Sequence, residues 1–268
     1  MSESLRLVRH RIGLIERHAT AAVPPAHALA PSLVATGHEA IDQALGGGVM
    51  RGRVHEVLGE NGEAGSASGF AALLARLIGG EMLWLGEEAA WRGAGALCPA
   101  GLAAIGLDPA RLIVGVLPDA VAVLRAAVDG LRCPALGGVV IALAGDPRAL
   151  DLTASRRLAL AAEADGVTAI LLRLGGQATP NAAQTSWRVA AEPSLPRATN
   201  APGDPAWEVE LLRQRGRPDG GRWRVEWDSE QGRLCDRHET GGAALPGAVA
   251  ALPVDRPARP RATLRQAG

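Results

Sequence analysis

The stretch Gly59 to Ser66 follows a short apolar run and precedes a segment of helical spacing. A glycine-bearing turn in that place gathers free backbone N–H groups and the positive end of a helix dipole, which together hold phosphate. Set in register with G-x-x-x-x-G-K-[ST], Gly59 takes the first glycine, Ala64 the second, Gly65 the lysine and Ser66 the hydroxyl residue, with Gly62 inside the loop. Two fixed positions depart, and the second matters. The chain contains no lysine, so arginine supplies all 28 positive charges. Losing that cation forfeits a charge-assisted contact of about 1.5–3 kcal/mol, or roughly 10–100-fold in affinity. A helix dipole contributes about 0.3–1 kcal/mol to a bound anion and does not make up the difference. The same absence removes Schiff-base chemistry and a lysine general base.

Phosphoryl transfer also needs an acid for magnesium and one for water. The apolar run that would carry the first ends in Ala142, Leu143 and Ala144. Asp146 lies just beyond, before Pro147, where aspartate is common for local turn reasons. Glu87 and Glu88 follow the run from Met82 to Leu85, the place of a water-activating carboxylate; the plainer reading is a helix-starting pair. Cys98, Cys133 and Cys235 form no C-x-x-C pair, so neither a zinc site nor a disulfide framework is expected. No metal, no cofactor and no catalytic residue are expected.

The elements that must position this loop read as alternating strands and helices, the pattern of a mostly parallel sheet with crossover helices. Strands are expected at Val54 to Leu58, Met82 to Leu85, Leu112 to Val116, Val139 to Leu143 and Ile170 to Arg173, all bare apolar runs suited to burial on both faces. Helices are expected at Ser66 to Ile78, Pro99 to Ile105, Pro118 to Leu131 and Leu152 to Ala164, with Pro99 and Pro118 as first-turn prolines. Trp207 to Leu212, Arg222 to Trp227 and Gly232 to Cys235 alternate in polarity around the turn Pro218-Asp219-Gly220-Gly221, which predicts a C-terminal antiparallel meander.

In the 268 residues, 28 acids balance 28 arginines to zero net charge, and 47% of the chain is apolar. A balanced chain is not a dedicated nucleic-acid or membrane-surface binder. No apolar run is long enough to span a membrane and the N-terminus lacks a signal-peptide core, so a cytoplasmic protein is expected. Both ends are mildly basic: residues 1–18 hold four arginines against two acids, and residues 246–268 four against one. Leu5, Val8, Ile12 and Ile15 recur at helical spacing, so residues 1–20 read as an amphipathic helix, packed on its own domain or docked on a partner. A Pro-rich linker, 21–35, separates it from the body at 36–245, and the Ala/Pro/Arg-rich tail at 246–268 is expected to be disordered.

The stretch from Thr36 to Gly59, TGHEAIDQALGGGVMRGRVHEVLG, resembles the entry to the RecA-type ATPase core, with T-G, a short helix, a glycine cluster and G-R-x-x-E-x-x-G. LGEEAAW, IGLDPARLIV and PDAVAVLRAAVDGL follow in RecA order, so the resemblance spans about residues 36–235. Together with GDPRALDLTASRRLALAAEADGVTAILLRLG, Gly145 to Gly175, the degenerate loop resembles the ImuA family, RecA-like accessory proteins of SOS-induced mutagenesis. That resemblance implies a noncatalytic scaffold or regulator of an error-prone translesion complex. Its implied partners are an ImuB-type relative of Y-family polymerases and a DnaE-type polymerase; RecA and self-association through Leu5, Val8, Ile12 and Ile15 are further options. RecA's DNA loops look cut down here, with Arg148 alone in the first and no arginine in Gly175 to Asn181. Direct DNA contact is therefore expected to be weak or indirect, with Trp187 and Arg188 as the one pair placed near a loop. Two alternatives stay open: a nucleotide-dependent RecA-type ATPase using Arg51 or Arg53 as surrogate cation, and a SulA-like inhibitor of cell division.

Overall fold

The computed structural model describes residue 10, residues 32–194 and residues 203–237. The expected helix at 1–20 with Leu5, Val8, Ile12 and Ile15, most of the 21–35 linker and the 246–268 tail lie outside the described residues apart from His10. The linker's last residues depart from expectation. Leu33–Val34 (β1) pairs antiparallel with Val49–Met50 (β2), Leu33 opposite Met50 and Val34 opposite Val49. Apolar residues past the last linker proline are free to enter a ladder, and these do. Between them Glu39–Leu45 (α1) ends at Gly46, whose φ of 78° gives the left-handed cap that favours glycine.

The body alternates Val54–Gly59 (β3), Ala64–Ile78 (α2), Glu81–Glu87 (β4), Glu88–Ala94 (α3), Pro99–Ala104 (α4), Leu112–Leu117 (β5), Ala120–Leu131 (α5), Leu136–Ala144 (β6), Leu152–Asp165 (α6) and Thr168–Leu174 (β7). Thr185–Glu192 (β8), Ala206–Gln214 (β9), Arg222–Asp228 (β10) and Arg233–Asp236 (β11) complete it. Among the described residues these strands form a nine-stranded sheet in the order β11-β10-β9-β8-β3-β7-β6-β4-β5. The ladder is parallel from β8 to β5 and antiparallel from β8 through β11.

Alternate residues of the central strands feed two cores. Val140, Ile170, Trp84 and Trp187 pack with Phe70, Leu73 and Leu74 of α2. Their neighbours Val139, Ile141 and Leu171 pack on the other face with Val123, Leu131 and Leu158 of α5 and α6. Burial on both faces explains why these strands read as unbroken apolar runs. Two expectations need correction. Pro118 precedes the helix: Asp119 is its cap, accepting a bond from the Ala122 N–H at 2.8 Å. The segment around Trp187 is strand β8, seated between β3 and β9.

Candidate functional site

Gly59 closes β3 and Ala64 opens α2, so the loop sits at the C-terminal edge of the sheet, beside the ends of β7 and β8. Gly59 is fixed by close approach: a side chain there would lie 2.6 Å from Ala67 Cβ and 2.9 Å from the Glu63 carbonyl oxygen. Gly62 has φ of 93° with open space beside it, and Gly65, at the lysine position, also has open space. The missing cation is therefore not a steric consequence of the fold.

Two carboxylates that spacing alone did not single out occupy this loop. Glu63, immediately before the helix, accepts a hydrogen bond from Ser66 Oγ at 2.9 Å and another from the Ala191 N–H at 2.8 Å. Both converge on one oxygen, so the hydroxyl aligned with the magnesium-holding position is tied to the chain's own acid. Trp207 Nε1 fastens the turn by donating to the Ser66 carbonyl at 3.0 Å. Glu60 pairs with Arg188 Nε at 2.9 Å, and Arg188 also reaches Glu210 at 2.7 Å. The helix N-terminus thus has an intramolecular anion beside it. For a phosphate about 5 Å from such a carboxylate, an effective dielectric of about 20 gives roughly 3 kcal/mol of repulsion per charge pair.

Of the acids near the metal and water positions, which were not expected to serve them, Asp146 and Glu87 are bonded within the chain. Asp146 forms an ion pair with Arg173 and accepts from the Gln177 N–H at 3.0 Å. Glu87, at the end of β4, accepts from the Ala144 N–H at 3.2 Å and so bridges to the end of β6. Glu88 opens α3. Among the described residues no three His, Cys, Asp or Glu side chains converge as a metal ion would need. The space between α2, α3 and the ends of β6 and β7 is a small apolar cleft lined by Trp84, Trp91 and Leu174. The Trp91 indole lies against Gly86, leaving no room for a side chain there. Arg51 and Arg53 precede β3, at the opposite end of that strand from the loop. Arg53 pairs with Glu163 at 2.5 Å, which lowers the carboxyl's pKa, and partial burial lowers that of the Arg51 guanidinium.

A buried polar network lies beneath the same edge. Arg173, 1% exposed at the end of β7, donates to Glu56 of β3 at 3.0 Å, to Thr179 at 3.0 Å and to Asp146. Glu56 accepts from Ser186 Oγ at 2.6 Å, and Arg213 of β9 donates to Asn181 Oδ1 at 2.6 Å. The turns after β6 and β7, where RecA-type loops would emerge, are thereby pinned to the sheet. A charged residue ending an apolar strand was the available signal for Arg173, since such a group must find a partner when buried.

Trp187 and Arg188 belong to the body of the sheet. Trp187 is 2% exposed, packs 6.2 Å from both Phe70 and Trp223, and donates to Thr185 Oγ1 at 2.9 Å. In this position it offers no face to a base, and Arg188 is held by Glu60 and Glu210. Only Trp187-Arg188-Val189 alternates in polarity within Thr185–Glu192, a signal too short to mark β8 from sequence. At the other end of β3, Thr185 Oγ1 lies 2.8 Å from His55 Nδ1, and His55 Nε2 lies 2.8 Å from the Met50 carbonyl. The carbonyl requires an Nε2–H donor, so Nδ1 accepts from the hydroxyl. Burial lowers the His55 pKa from 6.5 to about 4, against a smaller opposing effect of the Met50 bond.

No family model matches the chain. Protein ImuA from two strains of Caulobacter vibrioides is 35% identical to it, over 69% of this chain and 80% of the relative. The crystal structure of the RadB recombinase superposes with a TM-score of 0.55 at 18% identity, covering 77% of this chain and 100% of the recombinase. At that identity the likeness shows the fold alone: the chain has a RecA/RadB-like core.

Proposed function

The chain belongs to the ImuA family, and from that premise we propose that it is a noncatalytic RecA-like scaffold of an error-prone DNA-synthesis complex acting in the damage response. The observation that carries this reading is Glu63. Its carboxylate lies beside the start of α2 and binds the Ser66 hydroxyl, in a loop that has no lysine. Phosphoryl transfer is positioning plus electrostatic stabilisation, and here the loop adds negative charge where positive charge is required. Short, pinned turns after β6 and β7 and the burial of Trp187 support weak or indirect DNA contact. The protein then works through its surfaces, which a fold can retain after its chemistry is gone.

The partners proposed from the family resemblance are an ImuB-type polymerase relative and a DnaE-type polymerase, with RecA as a further contact. Affinity capture of the full chain from cells under DNA damage tests this. Recovery of those polymerase components, unchanged by Ser66→Ala, is the expected result. Capture that requires nucleotide and Ser66, or recovery of a division protein in their place, would overturn it. Among the described residues no helix is long and apolar enough to cross a membrane.

A further inference from the structure

A second cavity, of about 200 Å³, opens at the opposite end of β3 from the phosphate-type loop. Its floor is apolar, from Leu45 and Met50, and buried neutral His55 forms part of its wall. The remaining lining is rich in donors and contains no Asp or Glu. Arg215 and Arg217 border it, and neither meets an acid among the described residues. The backbone N–H groups of Gly48, Gly216 and Arg217 find no acceptor among those residues. The Arg217 guanidinium lies against Gly46, the left-handed cap at the C-terminal end of α1. Gln214, 7% exposed, also lines the cavity; its buried Oε1 is an acceptor without a partner and calls for an N–H donor, such as a peptide amide, beside the anionic group.

Unpaired donors around an apolar floor select a ligand with an anionic group on a small apolar arm. The volume is below the roughly 300 Å³ at which sites for drug-sized ligands begin, and it suits a single residue. Two arginines in a concavity also differ from the extended stripe of cations that follows a nucleic-acid backbone. We propose that this cavity captures the C-terminal residue of a partner peptide, its free carboxylate on Arg215 and Arg217 and its apolar side chain on Leu45 and Met50. Capture of a terminal carboxylate by clustered donors is an established mode of peptide recognition. The site is remote from Glu63 and Ser66, so it stands or falls separately from the noncatalytic reading.

The test is an NMR titration of the isotope-labelled full chain with N-acetyl-alanine, N-acetyl-valine, N-acetyl-leucine and N-acetyl-phenylalanine, each as free acid and as amide, up to about 10 mM. At least one acid is expected to shift the Gly48, Gly216 and Arg217 amides saturably, its amide binding at least about 10-fold more weakly. Arg217→Gln and Arg215→Gln, both at exposed positions, are expected to weaken binding about 10-fold with the thermal midpoint unchanged. The proposal is overturned if no acid binds, if amides bind equally, or if both variants bind as the native chain does. Displacement by inorganic phosphate at equal concentration would also overturn it, by reducing the site to a general anion hole.

Discussion

Glu63, in the loop that follows β3, and His55, near the start of that strand, each turn a residue type into a measurable property. His55 is neutral because both ring nitrogens are bonded and the ring is buried. Its pKa is 6.5 in the unfolded chain and about 4 in the folded one. The unfolded state therefore takes up the proton first as pH falls. The stabilisation is complete above 6.5 and is lost progressively toward 4, by about 3 kcal/mol at most. Denaturant unfolding between pH 7 and pH 4 is expected to show that loss, and His55→Gln to flatten it; an unchanged pH slope would exclude His55 as its source. At the loop, the space beside Gly65 is open to the first carbon of a side chain. The double variant Glu63→Gly, Gly65→Lys is expected to fold and to gain at least about 10-fold in triphosphate affinity. No gain would show that the obstacle lies elsewhere, for instance in the Trp91 cleft. Spacing revealed the missing lysine, but Glu63's part depends on the Ala191 N–H, which arrives from a strand more than a hundred residues away.

Elements were legible where both faces are buried. Four of the five apolar runs are interior strands that stand where expected, with ends extended by up to three residues; the fifth, β5, also stands where expected but is the edge of the sheet, with Val114 and Val116 exposed in place of the expected burial on both faces. Strand β8 escaped because its apolar face toward the core is short, with Trp187 and Val189 its large members, and the preceding Gly175 to Asn181 segment reads as loop. The Glu56–Arg173 pair escaped for a related reason: parallel neighbours 117 residues apart carry no local signal. Their coupling has a definite signature. Arg173→Met leaves Glu56 buried with only Ser186 as side-chain partner and is expected to cost about 3–5 kcal/mol. The double variant Glu56→Leu, Arg173→Met is expected to recover part of that loss in equilibrium unfolding. Simple additivity of the two single costs would show that the pair is not coupled.

At the scale of the molecule, a RecA-type sheet carries an acidic, self-satisfied loop at one end and a donor-lined cavity at the other. Among the described residues no cluster of His, Cys, Asp or Glu is suited to holding a metal ion. The family's accessory role follows if the core has kept its surfaces and given up fuel. The most direct measurement is a titration of the full chain with magnesium and ATP, with and without single-stranded DNA, reading tryptophan emission and phosphate release together. Trp207 donates to the Ser66 carbonyl and so reports on the loop. The account expects no saturable change up to about 1 mM and no turnover. Saturable binding with phosphate release, both abolished by Ser66→Ala, would contradict it.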